Sequence, residues 1–280
     1  MAMPVFFYLT PMTGEISQII SLTAYGNQCL RTGQLPTGFC PENAAFQYCN
    51  KVDFWEVDSG NELQIAIDPY YWFRYLQKVG CRALRLYYYP AKENPLAKEY
   101  KMAGFVGGGG TWLIEAIFHG HSDFWASRWQ VTRKDDPDGR IWSVKYGRTS
   151  VNLATVNEQF DVTMTAKFLY EALEATIAFT VQQNLGNWTD FFQKAAQRLN
   201  SNTPAAGYYN EALVPEGDYS LPPRQLLYAA GSAWAFGGMG SWNDLSFEKP
   251  EDNERYNNVT ARLYDVITHA IVAGVNSMRL

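Results

Sequence analysis

The chain has 280 residues, 47% of them hydrophobic and 18% charged, with 28 Asp and Glu against 23 Lys and Arg. This composition predicts an ordered globular protein with ample apolar material for a core. The mildly acidic balance, without a Lys/Arg-rich cluster among the aromatic residues, disfavours nucleic-acid binding and would suit a basic protein partner better.

The first half of the chain is predicted to be rich in strands. The patterns indicate a strand at residues 5–9, a helix around 16–30, a hairpin over 52–67, a helix opened by Asp68-Pro69 and a strand over 83–89. The first nine residues lack a basic segment, and no apolar run in the chain is long enough to cross a bilayer, so we expect a cytoplasmic protein without a membrane partner. The four cysteines form no Cys-x-x-Cys pair and are expected to be reduced and buried.

Residues 107–148 are the most informative segment, because they contain four consecutive glycines, four of the tryptophans and two of the three histidines. A β-meander is predicted after the glycines, ending in a hairpin that pairs 124–133 with 140–148 across a Pro-Asp-Gly turn. Aromatic and polar residues alternate in this hairpin, as expected for a sheet covered on one side. The glycine run lacks the strand-to-helix context of a phosphate-binding loop and is interpreted as a strand connection.

After residue 151 the apolar spacing becomes helical. Helices are predicted over 156–184, over 189–199, from Pro222-Pro223 through Trp234, and over 250–278, with a glycine-rich loop at 237–244. Strands followed by helices predict an α+β fold, in which a mostly antiparallel sheet from the N-terminal half is covered by a helical layer from the C-terminal half. The long apolar helix around Phe168 is the expected cover for the tryptophan-bearing face of the sheet.

No flexible linker separates the two halves. We therefore expect a single domain over residues 1–280, with a β-rich part at 1–150 and a helical part at 151–280.

A metal site is the sharpest chemical hypothesis in the sequence. If residues 111–123 stay extended, alternation places Glu115, His119, His121 and Asp123 on one side of the strand. Histidines two residues apart on a strand can both reach one zinc ion. Zinc would then activate a water molecule for hydrolysis.

The five residues His-Gly-His-Ser-Asp at 119–123 resemble the first half of the His-x-His-x-Asp-His motif of the metallo-β-lactamase-like hydrolases. This resemblance implies a metal-dependent hydrolase. Phe124 stands at the position of the third motif histidine, and the only further histidine is His269. That residue is expected on the polar face of the last helix, paired with Asp265. The competing interpretation of 119–123 is a strand end with a polar bend.

A binding protein without catalysis or cofactor is favoured by the rest of the sequence. No Gly-x-Ser-x-Gly motif or catalytic cysteine signature occurs, whereas 16 Phe, 9 Trp and 18 Tyr supply the side chains that dominate interfaces. We expect an aromatic and acidic surface that holds another protein, as an inhibitor or immunity-type protein would. The expected contacts are Trp234, Trp242, Asn243 and Asp244.

Two further alternatives stay open. One is a small-molecule or carbohydrate binder, which would stack its ligand on the aromatic sheet face or in a cleft between the layers. The other is a homo-oligomer.

Overall fold

The structure, a computed structural model, describes residues 12–58, 61–90, 100, 101, 103, 109–155, 158–237 and 240–278. The strand expected at 5–9 and the first two glycines of the four-glycine run lie outside these residues.

A six-stranded sheet forms one layer of the fold, in the order β2-β1-β6-β5-β4-β3. The strands are β1 (Cys49–Asp58), β2 (Asn61–Ala66), β3 (Ala83–Tyr89), β4 (Thr111–Ile117), β5 (Ser122–Val131) and β6 (Trp142–Leu153). Four neighbouring pairs are antiparallel, and β1 runs parallel to β6. The α+β class is confirmed. The sheet is mixed and not purely antiparallel, because β1 pairs in parallel with β6, a strand far from it in sequence that no predicted hairpin included.

Helices and their connecting loops make up the rest of the described fold. The helices are α1 (Gly14–Thr32), α2 (Pro69–Lys78), α3 (Val162–Gln182), α4 (Gly186–Arg198), α5 (Leu221–Ser232) and α6 (Pro250–Asn276). The helix predicted from residue 156 begins at Val162 instead, because the Asp161 side chain accepts a hydrogen bond from the backbone of Met164 (2.9 Å) and caps the first turn. Among the described residues no helix has the length and apolar character needed to cross a membrane.

The apolar face of the sheet is covered by α1 and α2. Trp72 of α2 stacks on Phe54 at a centroid distance of 4.4 Å and meets Trp125 edge-on at 5.6 Å. Residues 16–24 of α1 are all buried, so this helix forms a middle layer between the sheet and the later helices. The prediction that the helix around Phe168 covers the sheet was wrong: α3 packs on α6 and α4, and Phe168 is 48% exposed.

The outer edge of β3 is closed by two asparagine side chains. Asn27 of α1 accepts from the backbone N–H of Leu84 and donates to its carbonyl, both at 2.7 Å. Asn276 of α6 makes the same pair of bonds with Leu86, both at 2.8 Å. Each amide thus takes the place of a neighbouring strand, which blocks the edge against pairing with another chain.

Candidate functional site

The residues of the expected metal site are not brought together. Strand β4 ends at Ile117, and the chain reverses through a tight turn in which Phe118 N–H bonds the carbonyl of His121 (2.9 Å). Gly120 adopts φ 85° in this turn, a conformation that favours glycine. After the reversal Asp123 pairs with Ala116, so its side chain lies on the opposite face of the sheet from Glu115.

Neither histidine of this turn faces a cluster of possible metal ligands among the described residues. His119 is exposed, and the ring of His121 stacks on Phe118 at a centroid distance of 4.9 Å. Glu115 is buried, and burial raises the pKa of its carboxyl while a hydrogen bond from Ser122 opposes the rise. No group of three or more His, Cys, Asp or Glu in the described residues is arranged to hold a metal ion.

Asp123 belongs instead to a network of ion pairs that the sequence did not predict. Arg148 contacts Asp123 and Glu56, each at 3.2 Å, and Tyr75 donates to Glu56 at 2.5 Å. Asp123 and Arg148 come from the hairpin strands β5 and β6, whereas Glu56 comes from β1 and Tyr75 from α2. Glu56 and Tyr75 approach Arg148 only once β1 has paired with β6 and α2 has packed on the sheet.

The two tryptophans expected to contact a partner lie in the core. Trp234 is 1% exposed and Trp242 is fully buried. The indole N–H of Trp234 bonds the carbonyl of Phe236 (2.8 Å), and that of Trp242 bonds the hydroxyl of Thr260 (2.9 Å). The expectation that Trp234 and Trp242 contact a protein partner therefore needs correction, because both rings are packed inside the folded helical layer.

The two polar residues of the same loop serve mainly to hold it. Asn243 is partly buried and donates to the carbonyl of Tyr100 (3.0 Å). Asp244 is exposed and accepts from the backbone N–H of Gly240 (2.6 Å). Of the four expected contacts, only Asp244 is exposed.

A cleft of about 440 Å³ lies between the sheet and the helices, beside the first turn of α1. We call it the interlayer cleft. Its described lining includes an aromatic wall and a polar pair; these residues are Tyr48, Trp112, Trp129, Trp142, Trp234 and Tyr264, with Glu15 and Ser127. Its volume falls within the range typical of small-molecule sites.

Glu15 reaches the cleft from the first turn of α1. Thr13 caps this helix by accepting from the backbone N–H of Ile16 (3.4 Å), which fixes the start of the helix. Ser127 of β5 donates to Glu15 Oε1 at 2.8 Å. Burial raises the pKa of the Glu15 carboxyl, and the hydrogen bond from Ser127 partly opposes this rise.

Two tryptophans of the wall are only partly buried. Trp129 and Trp142 meet edge to face, with centroids 5.9 Å apart and ring planes at 72°. The indole nitrogen of Trp129 is buried, and no group in the described residues accepts its proton. An unpaired buried donor beside a cleft is a group that a ligand can satisfy.

The lining of the cleft also contains a thiol, that of Cys49. Burial raises the pKa of Cys49 to about 11, against a hydrogen bond from Gln18, so the thiol is protonated at neutral pH and is a weak nucleophile. The described lining contains no histidine that could act as a base toward Ser127 or Cys49. The arrangement can bind and orient a molecule, and its described lining contains no serine–histidine or cysteine–histidine pair.

Sequence reasoning missed Glu15 and Ser127, because 112 positions separate them along the chain. The available signal was local: a threonine cap followed by an acidic residue in the first turn of a helix.

Comparisons of the chain with protein-family models, with curated proteins and with solved structures found no match.

Proposed function

We propose that this protein binds a small organic molecule in the interlayer cleft and does not transform it. The observation that carries the proposal is a cleft of about 440 Å³ with four tryptophans in its lining and a hydrogen-bonded carboxyl beside them. Binding sites for small molecules combine an apolar, aromatic lining with a few placed polar groups in this way.

The polar groups of the cleft are held in position before any ligand binds. Glu15 is fixed by the capped helix start and by Ser127, and Trp129 is fixed by its packing against Trp142. A site whose groups are already ordered loses less conformational entropy on binding. The same groups offer a ligand one acceptor, one donor and flat apolar surface.

Native mass spectrometry of protein purified gently from its own cells tests this proposal. We expect a bound species of small-molecule mass that is lost in Trp142→Ala. The matched control is Trp55→Ala, which removes a partly buried tryptophan from the opposite face of the sheet and should leave the species bound. Equal retention by both variants, or a ligand-free wild type that also fails to bind in a fluorescence screen of small molecules, would contradict the proposal.

A protein partner is a second candidate, supported by the outer edge of β2. Strand β2 is the outermost strand on this side of the sheet, and aliphatic side chains on it and next to it are exposed: Leu63 of β2 is 64% exposed, Ile67 just after β2 is 58% exposed, and Val57 on the adjoining strand is 42% exposed. An exposed strand edge with apolar side chains can pair with a strand of another chain, including a second copy of this protein.

Sedimentation velocity across a range of concentrations tests the second candidate. A complex or self-associated form should weaken in Leu63→Lys and persist in Val181→Lys, which changes an equally exposed aliphatic residue of α3. A complex that both variants leave intact would exclude the β2 edge.

A further inference from the structure

We infer that the ligand of the interlayer cleft is an organic cation, such as an amine or a quaternary ammonium compound. This inference rests on the function proposed above and specifies its ligand class. It follows from the charge of the lining, from the tryptophan wall and from the bonding of Glu15.

The described lining of the cleft carries negative charge only. Among these described residues Glu15 is the one Asp or Glu, and none is Lys, Arg or His. The whole chain has a formal net charge of −5, which adds to the negative potential. An anionic ligand would meet a carboxylate without a compensating cation, whereas a cation would find its counter-ion in place.

The tryptophan wall suits a positive charge. Tryptophan has the most favourable ring for cation–π contacts, and the gain increases where the cation leaves water. Trp129 and Trp142 keep part of their surface open beside Glu15. The protein makes such a contact elsewhere, where the ammonium of Lys145 lies 4.1 Å from the ring centroid of Trp55.

Glu15 has bonding capacity left for a ligand. Ser127 donates to Oε1, and no described residue forms a salt bridge with the carboxylate. Burial disfavours the charged form of Glu15 in the free protein, as its raised pKa reflects. A bound cation would favour the charged form again, so cation binding should be accompanied by proton release.

Choline and 3,3-dimethylbutan-1-ol form a matched pair of probes, because they have the same shape and differ in the charge of the head group. Binding of each would be followed by tryptophan fluorescence and by isothermal titration calorimetry on the full chain. We expect choline to bind at least about tenfold more tightly than the neutral alcohol, a factor that corresponds to one favourable charge interaction.

Glu15→Gln keeps an acceptor for Ser127 and removes the charge, so it separates the ionic contribution from packing. We expect this variant to lose about tenfold in choline affinity and to bind the neutral alcohol unchanged. Glu248→Gln, at an exposed position outside the cleft, is the control and should behave as wild type. In the wild type, choline affinity should rise with pH through the pKa of Glu15, and the rise should vanish in Glu15→Gln.

The outcomes distinguish this inference from the proposed function. Equal binding of both probes, or tighter binding of the alcohol, would overturn the cation inference and leave the cleft as a small-molecule site. Binding of choline that survives Trp142→Ala and Glu15→Gln would place the cation outside the cleft and overturn the inference as well. If neither probe binds while a co-purified neutral or anionic ligand is found, the inference fails and the proposed function stands. Absence of any cleft ligand would remove both.

Discussion

Ser127 Oγ donates a 2.8 Å hydrogen bond to Glu15 Oε1, and this bond joins strand β5 to the first turn of α1 beside the interlayer cleft. Ser127→Ala removes the donor and leaves the carboxyl partly desolvated. Because the bond lowers the pKa of Glu15, the variant should raise that pKa further and reduce stability by about 1 kcal/mol. Carboxyl NMR titration and urea unfolding measure the two effects. Ser143→Ala on β6, whose hydroxyl has no partner in the described residues, should change neither.

Asn276 protects the β3 edge by bonding both backbone groups of Leu86. Asn276→Ala leaves a partly buried N–H and carbonyl without partners, and we expect a loss of about 1–3 kcal/mol in the free energy of unfolding. Hydrogen exchange at the Leu86 amide should accelerate as well. Asn258→Ala, at an exposed position of the same helix, is the control and should be neutral or slightly stabilising. An unchanged Leu86 exchange rate would contradict the edge-cap role.

Arg148 joins two carboxylates, those of Glu56 and Asp123, and is 24% exposed. Arg148→Met leaves both carboxylates without a cation and should cost about 2–4 kcal/mol, because uncompensated partly buried charges are unfavourable. Adding Glu56→Gln and Asp123→Asn to this variant should recover part of the loss. Urea unfolding of Arg148→Met and of the triple variant, compared with the wild type, measures both changes in stability. Arg262→Met, which breaks an exposed pair with Glu171, should cost well under about 1 kcal/mol.

Trp242 acts in the core, where its ring packs against Phe192 and Trp188. Trp242→Ala should cost about 3–5 kcal/mol through the cavity that it creates. Asp244→Ala, two residues further along the loop, should cost less than about 1 kcal/mol. Thermal unfolding followed by circular dichroism compares them. Comparable stability of the two variants would show that the ring is dispensable to the core.

His269 pairs with Asp265 on the exposed face of α6, as the helical spacing predicted. The hydrogen bond that the His269 imidazole donates to the Asp265 carboxylate raises the pKa of His269 to about 9, above its ordinary value of 6.5, against the effect of burial. The stabilisation is therefore fully present below pH 6.5 and is lost as the pH rises through about 9. The side chain is 70% exposed, so solvent screens the pair and the effect should stay below about 1 kcal/mol. The stability difference between wild type and His269→Gln should shrink over this interval; a constant difference would refute the pairing.

The sequence determined the features that depend on neighbours along the chain. Strand β3 was predicted over 83–89 and is observed as Ala83–Tyr89, and α2 begins after Asp68, whose side chain caps it by accepting from Tyr71 (2.9 Å). Side-chain alternation, helix caps and i,i+4 pairs act over a few residues, so a single sequence contains the information for them.

Only the tertiary structure decided which side chains line the interlayer cleft and which are exposed at the surface. Whether a loop tryptophan is exposed depends on what packs against it, and Trp242 is enclosed by helices that begin as far away as residue 162. The prediction that Glu115 and Asp123 share one face assumed a continuous strand. The chain instead reverses in a tight turn at Gly120, and the two side chains lie on opposite faces of the sheet. Glu15 and Ser127 meet because a helix and a strand from different parts of the chain bury their apolar faces together. Such burial is non-directional and acts between distant segments, so their local patterns do not identify their partners.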